Sequence, residues 1–310
     1  MKEHNANSIV NTPSFPSLAE AIQTLYGNNI RIETRRSVSG GDCNDTFELQ
    51  LSDGSRLFMK SNDIRNLLFF TSEADGLAAI AKTGCIGVPN VYCAGTDDTS
   101  NASFLLMEVI SQGRPSNSFW EDFGRAFANM HAFDPSDMVS GGAFGWDKDN
   151  IIGFRPQINT PHDTWVSFYR DCRILPQVTD AYQAGLLSDQ DRRDAERVME
   201  RLDGLLVEPK HPSLLHGDLW SRNFMVNKDG DAMLIDPAVY VGHPEADLAM
   251  TRLFGGFHDT FYRAYAEVFP LQDGVNDRMD LYHLYQLLNH LNQFGASYLS
   301  SVRRILQRFS

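Results

Sequence analysis

The amino-acid sequence predicts an α+β protein: a small N-terminal lobe built on an antiparallel sheet with one main helix, and a larger, mostly helical C-terminal lobe. Three observations lead there. Strand and helix patterns follow in the order β-β-β-α-β over the first 110 residues, and helical patterns dominate from residue 117 onward. The length, 310 residues, suits two lobes of unequal size. The boundaries expected are 1–110 and 111–310, with the join near Met107–Gln112 and a ligand in the cleft between lobes.

Each element has a local reason. The first dozen residues are polar and read as a loose tail, and Ser17-Leu-Ala-Glu20 is a capping box opening a helix that closes at Gly27. Arg31–Val38, Thr46–Leu51 and Ser55–Lys60 read as strands, the last two joined at Ser52-Asp-Gly54, a hairpin signal. Asn66–Lys82 reads as a helix ending at Gly84, and Phe104–Ile110 as a buried strand. Beyond Gly113, helices are expected over Asn117–His131, Thr164–Arg173 and from Ser188 to about Leu206. A Gly/Pro/Asn-rich stretch fills 134–164, Leu214–Ile235 is loop with short strands, and Met279–Arg308 reads as core helix.

Composition narrows the function. With 27 Lys and Arg against 40 Asp and Glu, the net charge is −13, which argues against a surface for nucleic acid or anionic membranes. A single nucleotide needs only local positive charge and stays compatible. No stretch of 18 apolar residues predicts a membrane span, and the N-terminus lacks the apolar run of a signal peptide. Cys43, Cys85, Cys93 and Cys172 are scattered, which suits reduced thiols and a cytoplasmic location. Cys43 falls in a glycine loop, where a thiol is either inert or redox-sensitive.

The chemistry concentrates in Leu214-Leu-His-Gly-Asp-Leu-Trp-Ser-Arg-Asn-Phe-Met-Val226 and Ala232-Met-Leu-Ile-Asp236. Phosphoryl transfer from ATP needs an acceptor for a hydroxyl proton and oxygen ligands for Mg²⁺. Asp218 and Asn223, five residues apart on one tight loop, can supply a carboxylate beside the hydroxyl and an amide oxygen beside the metal. Asp236, at the end of an apolar strand, completes the metal site, with Met225-Val226 and Met233–Ile235 as the hairpin presenting both ligands. Upstream, Lys60 ends a strand and Glu73 follows on a helix, the arrangement of a phosphate-directed lysine held by a glutamate. Gly40 and Gly41 lie between two strands, where backbone can approach phosphate closely.

These segments resemble the fructosamine kinase (ketosamine-3-kinase) family, within the aminoglycoside phosphotransferase and choline kinase superfamily. The resemblance is carried by His216-Gly-Asp-Leu-Trp-Ser-Arg-Asn223 and by Asp236-Pro-Ala-Val-Tyr-Val-Gly-His-Pro-Glu-Ala-Asp-Leu-Ala-Met-Thr251. It extends to Phe254-Gly-Gly-Phe257, Gly145-Trp146 with Asn150-Ile-Ile-Gly153, Trp165-Val-Ser-Phe-Tyr169 and Asn289-His-Leu-Asn-Gln-Phe-Gly295. It implies a protein-kinase-like two-lobed fold and transfer from ATP, with Mg²⁺, to a sugar hydroxyl of a fructosamine or ribulosamine. By position it makes Asp218 the catalytic base, Asn223 and Asp236 the Mg²⁺ ligands, and Lys60 the phosphate lysine paired with Glu73. Met107, Glu108 and Val109 become the hinge that meets adenine.

Trp220 and His243 are candidates for the sugar pocket, with core packing and helix capping as their respective alternatives. His216 is expected to support the catalytic loop, and Asp247 to brace it or open the next helix. Arg222 departs from the family's usual glycine. The partner implied is a small-molecule ketosamine or glycated amine, for a monomer or homodimer. Two other readings stay open: an aminoglycoside- or choline-type acceptor, and a catalytically inactive nucleotide-binding kinase fold.

Overall fold

The structure, a computed structural model, describes residues 12–38 and 44–310. The chain divides into two units, one holding the residues up to Lys82 with Val88–Ser111, the other Thr83–Gly87 with Gln112–Ser310.

The first unit contains β1 (Ser14–Phe15), α1 (Leu18–Tyr26), β2 (Ile32–Ser37), β3 (Asp45–Leu51), β4 (Arg56–Asp63), α2 (Leu67–Thr83), β5 (Val91–Asp97) and β6 (Ala102–Met107). These strands form one sheet in the order β1-β5-β6-β4-β3-β2, antiparallel apart from the β1–β5 pair. Ser17 caps α1 by accepting from the Glu20 amide (3.1 Å). The Ser52–Gly54 turn closes the β3–β4 hairpin through Gly54 N to Leu51 O (2.9 Å). Strands β1 and β5 escape the sequence pattern. The first is two residues long, and the second carries Gly95, where an added Cβ would stand 2.4 Å from Phe15 O. That close approach of β1 requires a residue with little strand propensity.

Side-chain alternation sorts the two faces of this sheet. Leu57, Met59 and Leu106 pack with Ala21 and Ile22 of α1, whereas Leu105 and Met107 pack with Phe70, Ala74 and Leu77 of α2. Lys60, out of phase with Met59, therefore belongs to the α2 face.

The second unit begins with α3 (Phe119–Ala132), the hairpin β7 (Asn150–Ile152)–β8 (Arg155–Gln157) and α4 (Trp165–Phe168), then a π-helical segment, Tyr169–Ile174, and α5 (Leu175–Gln183). It continues with α6 (Asp189–Leu205), β9 (Ser213–Leu215), β10 (Phe224–Val226), β11 (Ala232–Leu234) and β12 (Tyr240–Gly242). Four helices close it: α7 (Pro244–Leu253), α8 (Asp259–Val268), α9 (Val275–Phe294) and α10 (Leu299–Phe309). Strands β10 and β11 pair, as do β9 and β12.

Two expectations are corrected. The aromatic helix at 164–173 runs on into α5, and Pro176, which cannot donate to the carbonyl four residues back, accounts for the π-helical register before it. The Met279–Arg308 pattern is two helices, because Gly295 (φ 86°) ends α9. Helix α9 runs through the core, burying Leu281, Tyr282, Leu284 and Leu288 among Trp165, Phe168 and Tyr169, with Val302 and Ile305 of α10. Arg278 of α9 grips Glu245 of α7 through two hydrogen bonds (2.6 and 2.8 Å). Among the described residues no helix is long and apolar enough to cross a membrane.

Candidate active site

In the first unit, the Lys60 ammonium donates to Glu73 Oε1 at 2.6 Å, both side chains buried. Strand alternation aims Lys60 at α2, and Glu73 lies on the buried face of that helix. Met107 ends β6 opposite Phe58 and Val91. The Glu108 amide donates to Asn90 O (2.8 Å), and its carboxylate accepts from the Asn90 amide and side chain (3.1 and 2.9 Å). Val109 follows as a half-buried residue. Gly40, Gly41 and Cys43 lie outside the described residues.

In the second unit, two segments are stitched together by backbone. Ile235 N donates to Asn223 O (3.0 Å) and Ala238 N to His216 O (2.8 Å), beside the antiparallel pairing of Phe224 with Leu234. Asp218, Asn223 and Asp236 are thereby gathered on adjoining turns. Gly217 (φ 83°) makes the approach possible, since a Cβ there would stand 2.0 Å from Ala238 O.

Asn223 reaches back across its turn, its Nδ2 donating to Asp218 O (2.8 Å) and Asp218 Oδ2 (3.2 Å). With the NH₂ committed there, Oδ1 is the amide atom left to coordinate a cation. Asp236 sits at φ 54°, a left-handed conformation that Asp tolerates better than most residues and that neighbouring structure must hold. An amide oxygen and a carboxylate are hard ligands of the kind Mg²⁺ takes. Among the described residues no cluster of three His, Cys, Asp or Glu could hold a metal.

The loop is braced from below. Asp247, buried in the first turn of α7, accepts from the amides of His216 (2.7 Å) and Gly217 (2.8 Å) and stands 3.3 Å from His131 Nε2. Both readings of Asp247 thus hold at once, brace and early-helix carboxylate. His131 turns its Nδ1 to the Tyr265 hydroxyl (2.7 Å), inside the core. His216 bridges the two segments: Nε2 donates to Ile235 O (3.0 Å) and Nδ1 accepts from Asp218 N (3.2 Å). Burial pulls its pKa down to about 4 against the opposing Asp247 charge, so the imidazole is neutral and this one tautomer satisfies both contacts. Burial, aided by the Asp247 charge and opposed by the Asn223 amide, pushes Asp218 up to about 8.

Trp220 and Arg222 project from the loop between Asp218 and Asn223. The half-buried Trp220 ring meets Phe254 edge-on at 5.7 Å, and the exposed Arg222 lies 5.4 Å from its centre. His243 takes the capping alternative. It is 1% exposed, its Nδ1 accepts from Glu245 N (3.1 Å) to start α7, and its ring packs beside Trp165 and Tyr282. That burial removes it from a solvent-lined sugar pocket and lowers its pKa to about 3. Sequence reasoning missed the polar groups beneath the site, Asn150, Gln157, Arg173, Tyr285 and Gln286, of which Gln286 donates to Gly217 O (3.1 Å). Only Asn150, inside a quoted motif, carried a signal.

A sheet-bearing unit with a buried Lys–Glu pair, and a helical unit with an Asp-x-x-x-x-Asn loop knitted to a second Asp, are features of the protein-kinase-like fold. The family model "Fructosamine kinase" matches residues 14–310, and the chain belongs to that family. A probable ketoamine kinase from Synechocystis sp. is 36% identical over 304 residues, covering 96% of this chain and 98% of that protein. A chloroplastic protein-ribulosamine 3-kinase from Arabidopsis thaliana is 37% identical over 286 residues, 91% of this chain and 84% of its own length. Among solved structures, an inferred fructosamine-3-kinase from Haemophilus somnus superposes with a TM-score of 0.83 at 28% identity, covering 94% of this chain and 96% of that one. The protein is accordingly a kinase.

Proposed function

We propose that the protein transfers the γ-phosphoryl group of ATP, with Mg²⁺, to a sugar hydroxyl of a fructosamine or ribulosamine carried on a free or protein-bound amine. The observation that carries this reading is the contact of Asn223 with Asp218 on a loop whose backbone amides are clamped by Asp247. In it Asp218 accepts the proton of the attacking hydroxyl, and Trp220 offers a flat face to the sugar. Lys60, held by Glu73, meets the phosphates, and the backbone of Met107–Val109 meets adenine. Asn223 and Asp236 hold Mg²⁺, which when bound shields phosphate charge and keeps the transferring group in line. The free thiols of Cys85, Cys93 and Cys172 suit a reducing, cytoplasmic setting.

Turnover of ATP with fructosamines, ribulosamines, choline and aminoglycosides tests the acceptor. Ketosamines should be phosphorylated, and turnover confined to choline or aminoglycosides would overturn the assignment. Asp218→Asn should abolish transfer while leaving ATP binding intact, and an unchanged rate would remove Asp218 from the role of base.

A further inference from the structure

Arg173 is fully buried, yet among the described residues no carboxylate pairs with it. Dipoles and ring faces meet its charge instead. Nη1 donates to Ile158 O (2.5 Å) and Cys172 O (3.0 Å), and Nη2 to Asn159 Oδ1 (2.8 Å). The guanidinium lies 3.9 Å from the centre of the Tyr240 ring and 4.6 Å from that of Phe168. Pro176 lacks the N–H that would claim Cys172 O in a regular helix, which leaves that oxygen for Arg173.

A guanidinium can only donate, so Arg173 fixes which way its neighbours point. Asn159 must turn Oδ1 toward it, and its Nδ2 then donates to Asn150 Oδ1 (3.0 Å). Asn150, with that oxygen engaged, donates through Nδ2 to Val239 O (2.7 Å). Gln157 Nε2 donates to Asn150 Oδ1 (2.8 Å) and to Ala238 O (3.1 Å), while its Oε1 accepts from the Tyr285 hydroxyl (2.7 Å). The chain of amides ends on the two carbonyls that follow Asp236-Pro237. Ile235 N and Ala238 N are held by the catalytic loop. The left-handed Asp236 is thus the residue between clamps.

We propose that Arg173 is a positioning residue for Asp236: it sets the direction of the Asn159–Asn150–Gln157 relay, whose NH₂ groups hold the Ala238 and Val239 carbonyls and so fix the turn presenting the Asp236 carboxylate. The proposal rests on Asp236 as a metal ligand. Partners that orient metal ligands typically contribute about 10–100-fold to metal affinity.

The test titrates Mn²⁺ into the full chain with a non-hydrolysable ATP analogue, following free Mn²⁺ by electron paramagnetic resonance, beside the Mg²⁺ dependence of turnover. Arg173→Met removes the obligate donor, and Gln157→Met removes the contact with Ala238 while keeping volume. Arg303→Ala, which breaks an ion pair between α6 and α10, serves as a destabilised control outside the relay. Both relay variants should raise the Kd for Mn²⁺ by about tenfold or more, with the control unchanged. A merely structural role would lower the melting temperature without moving that Kd. Parent-like Mn²⁺ affinity in folded Gln157→Met overturns the proposal, whether or not Arg173→Met accumulates. If the unaltered protein adds nothing to the Mn²⁺ affinity of the analogue alone, the metal-ligand reading itself fails.

Discussion

Removing the Asp247 carboxylate should loosen the catalytic loop by an amount that follows from its contacts. Its two oxygens accept from the buried amides of His216 and Gly217 at 2.7 and 2.8 Å. Asp247→Ala leaves both N–H groups without a partner and without water, and each such group costs about 1–3 kcal/mol. We therefore expect a loss of about 2–6 kcal/mol. At about 2–4 °C per kcal/mol for a unit of this size, the melting midpoint should fall by about 4–24 °C. Asp247→Asn keeps one accepting oxygen and should fall between the variant and the parent. The same amides flank Asp218, so the released loop should also lose about 100-fold in kcat well below the melting temperature, the usual effect of a displacement of about 1 Å. Thermal unfolding and steady-state turnover give the two readouts. Stability within about 1 kcal/mol of the parent would refute the argument from unsatisfied amides. A destabilised variant with parental kcat would refute the claim that the clamp positions Asp218.

Two further outcomes are expected. Lys60→Met leaves Glu73 buried without its ammonium and should destabilise the sheet unit by about 3–5 kcal/mol, most of it recovered when Glu73→Leu is added; urea unfolding in which single and double variants fall together would contradict this. Arg303, helped by Ser188, holds the Asp191 carboxyl near 2 in place of the usual 3.8, so the pair stabilises the fold above about pH 4 and loses that contribution as pH falls toward 2. Arg303→Ala should lower the urea midpoint at neutral pH and leave it nearly unchanged near pH 2, where the Asp191 carboxylate is largely protonated. A gap between the variant and the parent that persists at pH 2 in urea midpoints would refute it.

How much of this is legible in the sequence depends on the range over which each feature is determined. The Lys60–Glu73 contact is legible because strand alternation and a helix face fix both directions locally, although Lys60 lies inside β4 and not at its expected end. The Asn223–Asp218 contact is legible because five residues of tight turn leave few alternatives. Periodicity finds helices but not their interruptions, which is why Gly295 splits a pattern that reads as continuous. Strand β5 is hidden because its Gly95 answers to β1, eighty residues away along the chain. His243 is ambiguous for a different reason: a short polar side chain before Pro244 suits a cap and a pocket equally, and only burial against Trp165 decides. Arg173 is invisible because nothing local marks a buried arginine whose partners are carbonyls and rings gathered from three separate segments.

The loop is held mostly through its backbone. Asp247 takes the amides of His216 and Gly217, Asn223 N donates to Trp220 O (3.0 Å), and Asn223 Nδ2 closes on Asp218. The buried His216 side chain adds the tie to Ile235. Ser221 and Arg222 are exposed, and the Arg222 guanidinium lies beside the Trp220 ring. Substitutions that keep these bonds should therefore keep the turn, whereas loss of the Asp247 carboxylate or of the Asn223 amide should open it.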